Sequence, residues 1–204
     1  MTTAITTPLE INRAYYETHA DDFRVRAEAL PMDSVYEPFL RLLPRDAHIL
    51  DAGCGSGRDA AAFLARGYRV TAIDASPAMV HSAKRHGIDA RVVTFQRMTF
   101  NEEFDGIWAC ASVLHVPHAE VPEVLRRFAR ALKPHGVLYV SVKEGHGEGV
   151  AGDGRFFSYF SLDEFSRLLT CENLFDALKA WENSSPDSSG TTRTWLNFLA
   201  RKSA

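Results

Sequence analysis

Between Ile49 and Gly57 the chain reads ILDAGCGSG: an apolar run, an aspartate, and glycines at 53, 55 and 57 just before a helical pattern begins. Glycine admits left-handed backbone and a close approach of main chain to a ligand, so this spacing describes a tight turn against something bulky. A nucleoside-bearing molecule fits. A dinucleotide fingerprint of the form GxGxxG starting at Gly53 would need glycine at position 58, where Arg58 stands, and the third glycine arrives one residue early. That weakens a nicotinamide reading.

A second signal follows. The run RVTAID ends in Asp74, seventeen residues after Gly57, where a carboxylate can accept from both hydroxyls of a ribose. Two simpler roles stay open: Asp74 as the N-cap of a helix opening at Ser76 or Pro77, and Asp51 as a brace for the glycine turn.

Around this motif two periods alternate. Continuous apolar runs at 48–52, 69–73, 91–95, 106–113 and 137–142 predict strands buried on both faces, and helical patterns at 57–66, 77–86 and 120–132 separate most of them. Strand–helix–strand order predicts right-handed crossovers and a doubly wound sheet. Before it, residues 1–8 read as a frayed arm, 9–30 as one polar helix bearing Tyr15, Tyr16 and Phe23, closed by Pro31, and 34–43 as a second helix. After it come a glycine-rich loop from Gly145 to Gly154, a helix opened by a Ser161–Glu164 capping box, and two strand-like runs at 174–181 and 194–200. The segment SSPDSSG between those runs predicts a turn, and so short a link implies an antiparallel pair.

Composition narrows the partners. At 204 residues with 46% hydrophobic content, one domain over 1–204 is expected. Twenty-three basic and 26 acidic residues give a net charge of -3 with no basic stripe, which disfavours nucleic acid. No apolar run approaches the ~18 residues of a membrane span. Cys54, Cys110 and Cys171 lie far apart and no signal-like segment opens the chain, so a cytoplasmic location without disulfides is expected. Eight scattered histidines show no ligand spacing, and no metal is expected.

With these residues in view, the chain resembles the class I S-adenosylmethionine-dependent methyltransferases. ILDAGCGSG looks like their first motif, VTAIDASPAMV like their ribose-binding strand end, FDGIWACASVLHVP like their fourth strand, and RALKPHGVLYVSVK like the helix and fifth strand. The likeness is close over roughly Ala47 to Lys143. GSGR at 55–58 and KEGHGEG…GDGRFFSYFSLDEF are similar to a small-molecule group often labelled tellurite-resistance-like, or methyltransferase type 11 or 25.

The resemblance implies an α/β, Rossmann-like, doubly wound seven-stranded sheet in the order 3-2-1-4-5-7-6, with strand 7 antiparallel and an N-terminal helical lid. It divides the single domain into an arm and lid (1–45), a cofactor-binding core (46–143), a substrate-side loop (144–160) and a C-terminal helix and hairpin (161–204). S-adenosylmethionine is the implied cofactor and S-adenosylhomocysteine its product. Asp51 and Gly53, with Cys54, Gly55 and Gly57, are implied near the methionine part; Asp74, with Ala75 and Met79, at the ribose; Gln96 and Met98 at the adenine; Ala109 and Cys110 at the fourth strand's end. TFQRM departs from the acidic adenine contact of many members, leaving the Gln96 carbonyl as the substitute acceptor.

The open end of such a sheet also selects the acceptor side. His115 is a candidate base because imidazole titrates near neutrality, with capping or core packing as its plainer role. Lys143, Glu148, Arg155 and Tyr159 cluster on the 143–159 connection, where Lys143 and Arg155 suit an anionic substrate and Glu148 a cationic one or proton transfer. Tyr16 can cover a sulfonium from the lid, and Arg26 can reach a carboxylate. The expected function is methyl transfer to a small-molecule O, N, S or chalcogen acceptor by a monomer or homodimer. A tRNA methyltransferase and a non-catalytic cofactor binder are the alternatives. ACASV at 109–113, where amide methylases carry an NPPY-like motif, disfavours amide acceptors.

Overall fold

A computed structural model describes residues 6–186 and 191–203. Its main sheet has seven strands: β1 (His48–Ala52), β2 (Arg69–Asp74), β3 (Asp89–Val92), β4 (Phe104–Ala109), β5 (Leu132–Lys143), β8 (Phe175–Pro186) and β9 (Thr192–Lys202). A separate hairpin is formed by β6 (Glu148–Val150) and β7 (Phe156–Ser158). The spatial order is β3-β2-β1-β4-β5-β9-β8, with β9 antiparallel to both neighbours. Since β8 and β9 are the sixth and seventh strands of this sheet, the expected order and the single reversed strand are both present.

The sheet is covered on both faces, as parallel strands require. Alternation along each strand divides the core in two: Leu50, Ile107, Leu138 and Val140 meet the buried face of α6 (Val121–Ala131) and α7 (Leu162–Thr170). Ile49, Trp108, Val137 and Tyr139 meet α3 (Asp33–Leu40), α4 (Arg58–Ala65) and α5 (Pro77–Lys84). Ser161 and Glu164 form the capping box that opens α7, and Ser76 caps α5 by accepting from the Met79 N–H.

Several expected boundaries move. The single helix over 9–30 is two, α1 (Pro8–Thr18) and α2 (Ala20–Glu28), broken at His19, whose ring N–H donates to the Tyr15 carbonyl and whose backbone leaves helical geometry. Thr7 caps α1 with Glu10, so helix begins inside the expected arm; residues 1–5 of that arm lie outside the described residues. The third strand covers 89–92 rather than 91–95, because its partner β2 ends at Asp74, opposite Val92. The fourth stops at Ala109, not 113, as Ala111 turns to φ 51° and the chain leaves the sheet. The glycine-rich connection holds the β6–β7 hairpin, too short to announce itself by alternation. Residues 187–190 of the expected turn lie outside the described residues.

Candidate active site

The strands β1, β2, β4 and β5 all end on the same side, and there the loops enclose a cavity of about 720 Å³. Its floor is the glycine turn. Gly53 and Cys54 both donate their backbone N–H to the Ile73 carbonyl, which pins the turn against β2. Gly53 has φ +82°, and a Cβ there would lie 2.4 Å from the Ser112 Cβ, so only glycine lets the fourth-strand loop close over it. Gly57 has a different purpose. Its added Cβ would strike Ile88 and Ala83 at 2.8 to 3.0 Å, so this glycine seats α4 against α5 and does not line the cavity.

Asp74 stands at the end of β2 facing the cavity. One carboxylate oxygen accepts from Gly55 N–H at 2.9 Å and the other from Ser76 N–H at 2.9 Å, leaving further lone pairs on both. The cap of α5 is Ser76 itself, so Asp74 is not its N-cap. Burial pushes the Asp74 carboxyl upward despite these backbone donors. Ser56, 2% exposed and lining the same cavity, has a hydroxyl with no hydrogen-bond partner.

The opposite wall comes from the N-terminal helix α1 and from the segments that follow β4 and β5. Tyr16 of α1 reaches His115, its hydroxyl 2.9 Å from Nε2, while Nδ1 is 2.9 Å from the Phe156 carbonyl of β7. A carbonyl only accepts, so Nδ1 carries the proton and Nε2 accepts from Tyr16. Burial pushes the His115 imidazole down to about 3 and the Tyr16 phenol up to about 12, so both stay neutral across ordinary pH. Arg155, 4% exposed, lies 5.0 and 4.9 Å from the centroids of Tyr15 and Phe157, pairs with Asp153, and donates to the Tyr16 oxygen at 3.5 Å. Lys143, equally buried, holds its ammonium 4.0 Å from the Phe157 centroid.

The lid is fastened along its length. Glu17 accepts from the Ser76 hydroxyl, Phe23 lies against Gly55, and Arg58 donates to the Ala27 carbonyl while gripping Asp59. Asp59 also accepts from Tyr36 and Trp108. Burial works against its charge, but the Arg58 guanidinium and these donors hold it below the usual carboxylate range.

A methyltransferase-domain family model matches residues 49–136, from β1 into β5. A structure of 1,6-didemethyltoxoflavin-N1-methyltransferase from Burkholderia thailandensis, holding 1,6-didemethyltoxoflavin and S-adenosylhomocysteine, superposes with TM-score 0.79 at 26% identity, covering 100% of this chain and 94% of that one. Residues 49–136 are thus a methyltransferase domain, set in the architecture of the class I S-adenosylmethionine-dependent methyltransferases. Ubiquinone biosynthesis O-methyltransferase of Xanthomonas oryzae pv. oryzae is 34% identical over 103 residues, 47% of this chain. That match spans 42% of the relative's length. The [4+2]-cyclase SpnF shares the fold at TM-score 0.73 and 19% identity, covering 97% of both chains.

The cofactor of such a domain is S-adenosylmethionine, and the floor of the cavity suits it: a turn closed to any side chain at Gly53, an unpaired buried hydroxyl at Ser56, and a carboxylate with lone pairs to spare at Asp74. Of the residues singled out from sequence, Tyr16, Gly53, Cys54, Gly55, Asp74, Ala75, Met79, Gln96, Cys110, His115, Lys143 and Arg155 line the cavity. Seven are elsewhere. Asp51 is buried behind the turn, where it accepts from Ala60 N–H at the start of α4; Gly57 seats that helix; Met98 and Ala109 are in the core. Arg26 is exposed on α2. Glu148, exposed on β6, accepts from His118 N–H and the Ser158 hydroxyl, and Tyr159 sits beside Gly145 and its carbonyl takes the His118 ring N–H.

Burial pushes the Cys110 thiol up to about 12 and the Cys54 thiol well upward too, which makes both inert apolar lining. Gln96 donates to Glu120 at 2.7 Å, so its amide oxygen is the group left to accept. Sequence reasoning missed Asn12 and the part played by the Phe156 backbone. The signal for Asn12 was an asparagine inside a helix, where it has poor propensity and usually answers to a partner.

Proposed function

We propose that this chain methylates a small-molecule acceptor, most suitably at oxygen, with the Tyr16–His115 pair as its route for the proton. The reading is supported chiefly by the Tyr16 hydroxyl, which lines the cavity while donating to a neutral imidazole nitrogen. When bound, S-adenosylmethionine supplies a methyl group on a positively charged sulfur, open to in-line attack.

The residues of the chain then have three tasks. Asp74 would accept from the ribose hydroxyls and the Gln96 carbonyl from the adenine amino group, while the turn at Gly53 to Gly55 admits the amino-acid portion beside Ser56. The closed lid excludes water, and holding the nucleophile in line is worth more here than any single catalytic group. Finally, the Tyr16 oxygen can take a proton from the acceptor as its own passes to His115 Nε2. An imidazole with so low a proton affinity accepts only from a strongly acidic group. A hydroxyl oxygen becomes one as it is alkylated; an amine nitrogen does not. That asymmetry supports oxygen over nitrogen, as do the ubiquinone O-methyltransferase relatives.

Calorimetry against S-adenosylhomocysteine, followed by transfer of labelled methyl to catechols, amines, thiols and total RNA, tests the proposal. Saturable cofactor binding with label on hydroxyl compounds is expected, and Tyr16→Phe should cut turnover at least tenfold while leaving cofactor affinity within about twofold. Label on RNA alone, or binding with no transfer to any class, would overturn it.

A further inference from the structure

The lid helix and the small hairpin lie far apart in sequence, and one side chain joins them. Asn12, 6% exposed, donates from Nδ2 to the Phe156 carbonyl at 3.0 Å and accepts at Oδ1 from the Phe156 N–H at 2.8 Å. This is the two-point pairing a neighbouring strand would offer, made across 144 positions by an amide. All of the hydrogen-bonding capacity of the Phe156 backbone therefore depends on groups outside its own strand pair.

The same Phe156 carbonyl takes the Nδ1 proton of His115, and the other nitrogen of that ring accepts from Tyr16, one helical turn after Asn12 on α1. The contacts close a circuit: Asn12 to Phe156, Phe156 to His115, His115 to Tyr16, and back along the helix. Each member sets the next. A carbonyl held in place by Asn12 keeps the imidazole proton on Nδ1, and only that tautomer leaves Nε2 able to receive the Tyr16 hydrogen bond.

The hairpin does not hold itself. Its strands have three residues each, far below what an isolated pair needs, and it leans on the body through side chains: the Ser158 hydroxyl on the Val116 carbonyl, Glu148 under the His118 N–H, and the His115 ring and Asn12 amide on Phe156. Without the Asn12 amide the Phe156 N–H would be left without its side-chain acceptor and the Phe156 carbonyl with the His115 ring alone, and releasing them loosens the lid and the hairpin together.

We propose that Asn12 is a positioning residue: its amide clasps the lid to the hairpin and thereby fixes the His115 tautomer that faces Tyr16. The proposal rests on reading the cavity as the site of methyl transfer.

Two measurements on the full chain test it. In long-range nitrogen–proton spectra of the histidine rings, the wild-type His115 should carry its proton on Nδ1, and Asn12→Ala should show a mixture or the Nε2–H form. In stopped-flow displacement, S-adenosylhomocysteine should leave Asn12→Ala at least ten times faster than wild type. Asn12→Asp keeps an acceptor for the Phe156 N–H but offers the carbonyl no donor, so it should fall between the two, and it carries the test if the alanine variant does not fold. A folded variant with the wild-type tautomer and wild-type release rate overturns the proposal. Failure of the wild type to bind S-adenosylhomocysteine would count against the reading of the cavity instead, and the ring spectra would still decide the clasp.

Discussion

The two halves of the cavity are assembled over very different distances along the chain. On the nucleoside side, the hydrogen bonds to the Asp51 and Asp74 carboxylates from the turn and helix N–H groups join residues 2, 9 and 19 positions apart: Ser76 to Asp74, Ala60 to Asp51, Gly55 to Asp74, with Ser112 of the fourth-strand loop packed over Gly53. On the acceptor side they join residues 41, 99 and 144 apart: His115 to Phe156, Tyr16 to His115, Asn12 to Phe156. A site made of local contacts is fixed largely within one continuous stretch, here β1 to the start of α5, and tolerates little change. A site made of distant contacts can be rebuilt by altering a lid or a hairpin, which leaves the cofactor half intact.

The sharpest way to break the contrast is at Gly53. Gly53→Ala places a Cβ 2.4 Å from that of Ser112 at φ +82°. Left-handed strain of about 1–2 kcal/mol and overpacking of about 1–3 kcal/mol add to a loss of about 2–5 kcal/mol in denaturant melts, with cofactor binding abolished. A variant that melts and binds as wild type does would show that the turn yields, and the nucleoside side would lose its claim to rigidity. Asp74→Ala should weaken S-adenosylhomocysteine by about 1–3 kcal/mol, or about 5- to 150-fold, in calorimetry. An unchanged dissociation constant would leave Asp74 with its two backbone N–H groups alone.

The same contrast explains what was legible in the sequence. The alternation of strands and helices, the glycine turn and Asp74 were readable because each expresses itself within some twenty residues as a period or a spacing, whereas the strand order came only through the family resemblance. Asp51 was legible as an acid beside the turn, but not which way it faces: one residue's alternation on β1 decides between cavity and helix, and it braces Ala60. Gly57 belonged to the same motif yet serves packing, since Ile88 and Ala83 arrive from the next unit of the fold. The partnership of Tyr16 with His115 was invisible because neither residue's neighbours mention the other. Charge misled at Glu148, where an acid on a glycine-rich loop suggested chemistry and the side chain instead accepts from His118 N–H.

Acid stability reports on the distant half. His115 is held down at about 3 when folded against 6.5 as an ordinary histidine. Below pH 6.5 the unfolded chain therefore binds a proton there that the native chain refuses. Stability contributed by this site is fully present above pH 6.5 and is lost as pH falls toward 3, with a slope approaching about 1.4 kcal/mol per unit. His115→Gln should flatten that part of the curve. Asp51 and Asp74, pushed upward by burial, titrate in both proteins, so the difference curve isolates the imidazole. Identical pH dependence in the two proteins would mean that the ring is open to water and the Tyr16 contact is not maintained.

The smallest expected effect separates the hairpin's two faces. Glu148 is exposed and uses one oxygen to accept from His118 N–H at 2.6 Å and from the Ser158 hydroxyl at 3.2 Å. The amide oxygen of Glu148→Gln can accept the same two bonds, so stability should move by no more than about 0.5 kcal/mol and turnover by less than about twofold. Kinetics with whatever hydroxyl compound takes up label would measure this directly. A tenfold fall in turnover at unchanged cofactor affinity would mean that the hairpin carries Glu148 into the cavity during the reaction. The acceptor half would then be mobile as well as distantly assembled, and Asn12, which ties down the hairpin's other strand, would govern how far it swings.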